Sequence, residues 1–432
     1  MTPLSPRRAA LPAALALCTA LSLSACSSGS SPSSSAGSSA APVTLTFWGT
    51  YGNGGNKAQT DVLSQTIIPA FEKAHPNIKI NYVDVPYDSL LQKLTTGAAG
   101  GQLPDLVRSD ITWVPKFASL GVFQQLDGTM PNFQTLAAGT YPGTLSTNAW
   151  QGHYYGLPLD TNTRVLISNQ AALTSAGISS PPSTFAELES DAALLAKKKI
   201  AVFADSGLQG WSILPWIWSG GGEITDPTLT KATGYLNGAQ SVAAVQMLVN
   251  LYKEGAIPKL ITGDTGAVST QDGLPKGNYA DILDGPWMHD IWSAQYASFQ
   301  PVYSPMPSGD GGSVSVVGGE DIVMTSTSKN QAADEAFIAF TQTAAYQLAM
   351  AETGQMSVVA ALGDQEAQQV PYLAPYIAQL KNAKSRPAVP DEPQIDTVLQ
   401  DDLTPAFQGT TTVQAALDKA AAAIDPLLTA AK

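Results

Sequence analysis

The chain has 432 residues, with 22 lysines and arginines against 35 aspartates and glutamates, and a formal net charge of −13. That acidity argues against nucleic acid as a partner and against long-range attraction of anionic ligands or lipids; a neutral or cationic ligand fits better. The only cysteines are Cys18 and Cys26 and the only histidines His75, His153 and His289. They form no HExxH, paired Cys-x-x-Cys or EF-hand pattern, so neither a metal nor another cofactor is expected.

At the N-terminus, Arg7 and Arg8 precede an apolar run from Ala9 to Leu23 that contains Pro12 and Thr19 and is short for a membrane span. It ends in Leu23-Ser24-Ala25-Cys26, small residues that suit a signal peptidase, so residues 1–25 read as a secretion signal. Leu-Ser-Ala-Cys resembles the bacterial lipobox, which implies that Cys26 is acylated and anchors the mature chain to the membrane; ordinary secretion with cleavage near Ala25 is the alternative. Ser27 to Pro42 is nearly all Ser, Ala, Gly and Pro, too poor in apolar surface to offset chain entropy. Residues 26–42 therefore read as a lipidated cysteine and a disordered tether spanning roughly 20 Å. With Cys18 removed and Cys26 acylated, the folded body would hold no thiol and no disulfide.

The roughly 390 residues that follow exceed one ordinary core, so two globular units are expected. Val43 to Trp48 alternates like a strand and breaks into a turn-rich loop, Gly49 to Gly55. Asp61 to His75 carries helical spacing through Val62, Ile67, Ile68 and Phe71, and Pro76 stops it before the alternating Ile78, Ile80, Tyr82 and Val83. A second helix, Tyr87 to Ala98, leads to a short strand, Leu103 to Val107, ending at Arg108-Ser109-Asp110. Such alternation implies a parallel sheet covered on both faces by helices, with ligands beyond the carboxyl ends of the strands.

Beyond these local patterns, Phe71-Glu72-Lys73-Ala74-His75-Pro76-Asn77-Ile78-Lys79-Ile80, Leu103-Pro104-Asp105-Leu106-Val107 and Trp150-Gln151-Gly152-His153-Tyr154-Tyr155-Gly156-Leu157-Pro158-Leu159 resemble segments of the family 1 extracellular solute-binding proteins. That family includes maltose-binding and other oligosaccharide-binding components of ABC importers. The resemblance continues in order through Asn162 to Asn169, Ala176-Gly177-Ile178 with Pro181 to Phe185, Asp284-Gly285-Pro286-Trp287, Val317-Gly318-Gly319-Glu320, the helix from Ser328 to Phe340, and Thr353 to Ser357. Gln170 departs from the lysine that many members carry. The resemblance implies an α/β, two-lobed, type II periplasmic-binding-protein-like fold, each lobe a mixed, mainly parallel sheet flanked by helices. Lobe 1 would take residues 43–157 and 318–359, and lobe 2 residues 158–317 and 360–432 with the C-terminal helices. Crossings near Asp160 and Val317 would form the hinge. It also implies a sugar or oligosaccharide ligand, ABC permease subunits as partners, and a monomer.

Sugars offer apolar C–H faces between hydroxyls, so a site combines flat aromatic platforms with oriented carboxylates and amides. Trp48 follows the first strand; Asp110 and Trp113 follow the Leu103 to Val107 strand. In the second lobe, Trp211, Trp216 and Trp218 lie in a very apolar run in which one or two at most would face ligand, with Trp218 chosen because it abuts Gly220 to Gly222. The resemblance carries Asp160, Trp287, Glu320 and, more weakly, Arg386 onto positions of the family's cleft. Trp150 and Trp292 are read as core, His75 and His153 as structural or surface residues, His289 as a rim contact, and Asp61, Asp191 and Asp334 as surface or helix-cap carboxylates. A glycosidase would need two carboxylates flanking one bond. Glu320 with Asp321 and Asp281 with Asp284 are the candidates, but Glu320 and Asp321 are adjacent on a strand and face opposite ways, nothing in the sequence resembles a nucleophile motif, and a binding protein is expected rather than an enzyme. A phosphorylated polyol would need clustered cations, and the cleft-facing loops offer little beyond Lys57, Arg108 and Arg164; polyamines and peptides stay open.

Overall fold

A computed structural model describes residues 41–52, 56–264 and 266–429. The secretion signal, Cys26 and most of the tether lie outside the described residues. The described residues form twelve strands, β1 to β12 in chain order. In lobe 1, β1 (Val43–Gly49) pairs in parallel with β2 (Ile78–Asp84) and β3 (Leu106–Asp110). The ladder of β3 begins three residues later than the sequence suggests, because Pro104 has no N–H to donate to it. As a result Arg108, Ser109 and Asp110 belong to the strand itself.

Helices cover both faces of this sheet. On one, Phe47 meets Phe337 and Phe71 meets Phe337 edge-on, with ring centroids 5.5 and 5.0 Å apart. On the other, Val107 packs with Leu90, Leu94 and Phe117. The helix that carries Phe71 starts at Asn56, whose side chain accepts the N–H of Gln59, and it widens into a π segment at Leu63–Ile67 just ahead of Pro69, whose missing N–H interrupts regular pairing. A two-residue hairpin, β4 (Ala149–Trp150) with β5 (His153–Tyr154), precedes the crossing.

The chain passes between lobes on two long antiparallel strands. β6 (Gly156–Thr163) runs through Arg164 directly into β7 (Val165–Asn169) of lobe 2, and β11 (Ser315–Met324) returns. Along β11, Val317 faces Thr163 and Glu320 faces Asp160, and the register slips between Glu320 and Asp321. Gly319 sits at φ 131°, and a Cβ there would lie 2.3 Å from the carbonyl oxygen of Asp160. Only glycine permits that backbone and that approach. On the far edge β3 pairs antiparallel with β11, and at its start β11 pairs with β12 (Ala383–Lys384).

Lobe 2 is built on β10 (Pro301–Ser304), β7, β9 (Tyr279–Asp284) and β8 (Ala201–Ala204), in that order. Both sheets are mixed, but here only β8 and β9 run parallel, whereas a mainly parallel sheet was expected. One face packs Leu166, Phe203 and Leu283 against helices that include residues 210–219, 239–253, 392–407 and 413–429. The other packs Ile167 and Ile282 against Trp292 and Tyr376. Asp191 and Asp334, expected on the surface or at caps, are buried instead on the inward faces of their helices; Asp334 accepts the hydroxyl of Ser328. Among the described residues no helix is long and apolar enough to cross a membrane.

Candidate functional site

A cleft of about 480 Å³ opens between the lobes, over the hinge. Lobe 1 contributes Thr50, Asn56, Gln59, Tyr87, Arg108, Asp110 and Gln355; the hinge contributes Asn162, Gly318, Gly319 and Glu320. Lobe 2 contributes Gln209, Trp211, Gln271, Trp287, Met288, Ile291, Arg386 and Asp396.

Two guanidinium groups organise the charges. Arg108, projecting from β3, is 3.3 Å from Asp160 through Nε and 2.8 Å from Glu320 through Nη2, and it donates to Thr50 Oγ1 and Gln355 Oε1. Its plane lies over the ring of Tyr51, 4.5 Å from the centroid. Burial raises the Glu320 carboxyl well above the usual range, against the pull of Arg108, and the neighbouring Asp160 raises it further. Arg386 is 3.3 Å from Asp396, 3.6 Å from Glu392 and 3.9 Å from Asp110. Each guanidinium thus faces at least two carboxylates, so the cleft presents no surplus positive charge.

The aromatic platform is in lobe 2. Trp211 and Trp287 lie 6.2 Å apart between centroids, with planes 27° from parallel. Trp211 occupies the first turn of the helix Gly210–Ser219, which starts where the chain returns from the carboxyl end of β8. The Asp396 carboxylate accepts Gly210 N–H at 2.7 Å and holds that turn. Trp287 follows β9 through Gly285-Pro286. Trp292 is buried, as expected, and donates its Nε1–H to the carbonyl of Gln271 at 2.7 Å, which fixes that part of the wall.

Of the residues singled out from the sequence, Asp110, Trp287, Glu320 and Arg386 line the cleft. Asp160 does not; it is buried behind Arg108, which covers it. Trp48 packs against the other side of the lobe 1 sheet under the ammonium of Lys93, because helices cover both faces of that sheet, and the loop residues Thr50 and Asn56 take the rim. Trp113 is buried behind Tyr87, whose ring is 5.4 Å away. Trp218 is buried in the lobe 2 core. It stands two turns beyond Trp211 on the same face of the helix, so when the first turn meets the cleft the last turn is roughly 10 Å away from it. The rule that placed ligands at the carboxyl ends of strands, applied to β8, would have selected Trp211. Arg164 does not reach the cleft; it pairs with Asp205 at 2.8 Å, and Lys57 pairs with Asp61 at the surface. His289 is half-buried and stacks on Tyr372, away from the lining, and Trp150 is only half-buried. Asp321, next to Glu320, points the other way and accepts from Asn148 Nδ2 at 2.7 Å, so the two carboxyl groups do not share the cleft. Asn162 and Gln355 stand in segments that carry the resemblance and Gln209 and Gln271 in none, and nothing in local pattern tells a cleft amide from a surface one.

Two α/β lobes on a two-strand hinge, with one cleft lined from both sides, define a protein of the solute-binding kind. The chain belongs to the family of bacterial extracellular solute-binding proteins, whose profile matches residues 55–348. A protein of Brucella abortus (strain 2308) is 26% identical over 395 residues, which cover 86% of this chain and 91% of that one. The galactooligosaccharide-binding protein of Bacillus subtilis (strain 168) is 23% identical over 286 residues, 64% of this chain and 63% of that one. In fold, the chain is similar to the GacH receptor of Streptomyces glaucescens, whose structures include a complex with acarbose. The TM-score is 0.79 at 24% identity, covering 90% of this chain and 99% of that one.

Proposed function

We propose that this protein captures an uncharged sugar or oligosaccharide outside the cytoplasm and delivers it to the membrane subunits of an ABC importer. The observation that carries the reading is the pair Trp211 and Trp287 facing, across one cleft, the polar wall of Arg108, Asp110 and Glu320. Indole faces suit the C–H faces of a pyranose, and carboxylates, amides and guanidinium groups suit its hydroxyls. Because each cleft arginine is already matched by carboxylates, a phosphorylated polyol would find no free cation to bind. The galactooligosaccharide-binding relative and the acarbose-bound GacH receptor support the same ligand class. Titrating intrinsic fluorescence with neutral mono-, di- and oligosaccharides, and with glycerol 3-phosphate as the charged control, tests it; a response to the phosphate alone refutes it.

The lipid anchor at Cys26 is part of this proposal. Cys26→Ser is expected to move the exported protein from the membrane fraction to the soluble fraction without changing its ligand affinity; unchanged fractionation refutes the anchor.

A further inference from the structure

A hinge of two strands leaves the walls of the cleft free to part unless something else ties them. Away from the hinge, Arg386 of lobe 2 reaches toward Asp110 of lobe 1, with Nη2 3.9 Å from Oδ1. Both side chains are more than nine-tenths buried, at 8% and 9% exposure, so water and salt screen the pair weakly.

Each partner is anchored in its own lobe. Arg386 is held by Asp396 and Glu392, and its stem lies along Gly210, where a Cβ would approach its Cδ to 3.3 Å. Asp110 accepts the hydroxyl of Tyr87 at 2.7 Å, and the N–H and hydroxyl of Thr112 at 2.8 and 2.6 Å. When the lobes part, neither charge is orphaned, so the contact can break and re-form without the large cost of an unpaired buried ion. At 3.9 Å the groups attract but do not hydrogen-bond, and a small closing motion would bring them into contact.

We infer that Arg386 and Asp110 form a cross-cleft clasp, a positioning pair whose charge attraction draws the lobes together. This rests on the cleft being the binding site, but not on the solute being a sugar.

The test needs no solute. The folded body has no cysteine, so the full chain carrying Cys18→Ser and Cys26→Ser accepts spin labels at Thr95→Cys and Glu189→Cys, exposed positions on helices of lobe 1 and lobe 2. Pulsed dipolar spectroscopy then reads the distance between lobes. Asp110→Asn keeps the shape and removes the charge; it is expected to shift the ligand-free distribution to longer distances, raising the ratio of open to closed molecules roughly fivefold. Asp110→Glu keeps the charge and should retain the closed population. Should Asp110→Asn fail to fold, Arg386→Gln, read the same way, should give the same opening. Distributions identical to wild type in the charge-removing variant overturn the clasp, and so does equal opening in Asp110→Glu, which would make shape rather than charge the cause. A cleft that is clasped yet binds no sugar in the fluorescence titration would count against the carbohydrate reading alone.

Discussion

Replacing Trp287 with alanine separates a binding residue from a packing residue. One part of the indole packs near Trp211 and folds back over Gly285, where a Cβ would sit 2.1 Å from the ring; the rest opens to the cleft. If a sugar ring covers the open face, about half of an indole's 150–250 Å² is involved, roughly 100 Å². At about 25 cal/mol per Å² that is about 2.5 kcal/mol of binding, or roughly a 70-fold weaker Kd. The folded protein loses mainly one aromatic pair, about 0.5–1.5 kcal/mol, and a melting temperature lower by about 1–4 °C. Calorimetric titration with the tightest-binding member of a neutral oligosaccharide panel, beside scanning calorimetry of the free protein, measures both. A melting temperature lowered by more than about 8 °C with Kd nearly unchanged would place the indole in the core and refute the reasoning.

Two further predictions concern the framework. Asp281, fully buried in β9, accepts the hydroxyl of Ser168 while its second oxygen has no partner, and burial raises its pKa to about 7. With the folded value above the unfolded one, its neutral form contributes stability below about pH 4 that is lost as pH rises toward 7. Asp281→Asn should therefore gain in melting temperature relative to wild type more at pH 8 than at pH 5; an equal difference at both would show that the carboxyl does not titrate in this range. Gly319→Ala would force a Cβ to 2.3 Å from the Asp160 carbonyl at a φ of 131°. A loss of about 3 kcal/mol or more is expected, read by urea unfolding, and a near-neutral effect would mean that the hinge backbone relaxes freely.

How much of the site was legible depended on the kind of signal each residue carried. Trp287 and Glu320 stand in segments that carry the resemblance, at a strand end and a strand crossing, and both line the cleft. Trp48, Trp113 and Trp218 stand in equally suggestive places, yet they are packed under Lys93, behind Tyr87 and within the lobe 2 core. A tryptophan has the same local signature whether its face meets solvent, a helix or a ligand, and the difference lies in what a distant segment lays over it. Asp160 makes the same point for charge: it follows the expected crossing, but Arg108, 52 residues away, takes both its oxygens.

The sequence by itself determined what depends on periodicity and local sterics, namely the strand-helix-strand alternation from Val43 to Asp110 and the end of its first helix at Pro76, while the two-lobed class and the hinge segment Val317-Gly318-Gly319-Glu320 followed from the resemblance to a known family. Only the tertiary structure decided which carboxylates share a guanidinium, that the platform is Trp211 with Trp287 rather than Trp218, and that Arg386 faces Asp110 across the cleft. Apart from Arg386 with its neighbours Glu392 and Asp396, these pairings join distant residues: 52 positions separate Arg108 from Asp160, 76 separate Trp211 from Trp287 and 276 separate Asp110 from Arg386. Their geometry is set by how two packed cores sit on a shared pair of strands, and no local pattern encodes that arrangement.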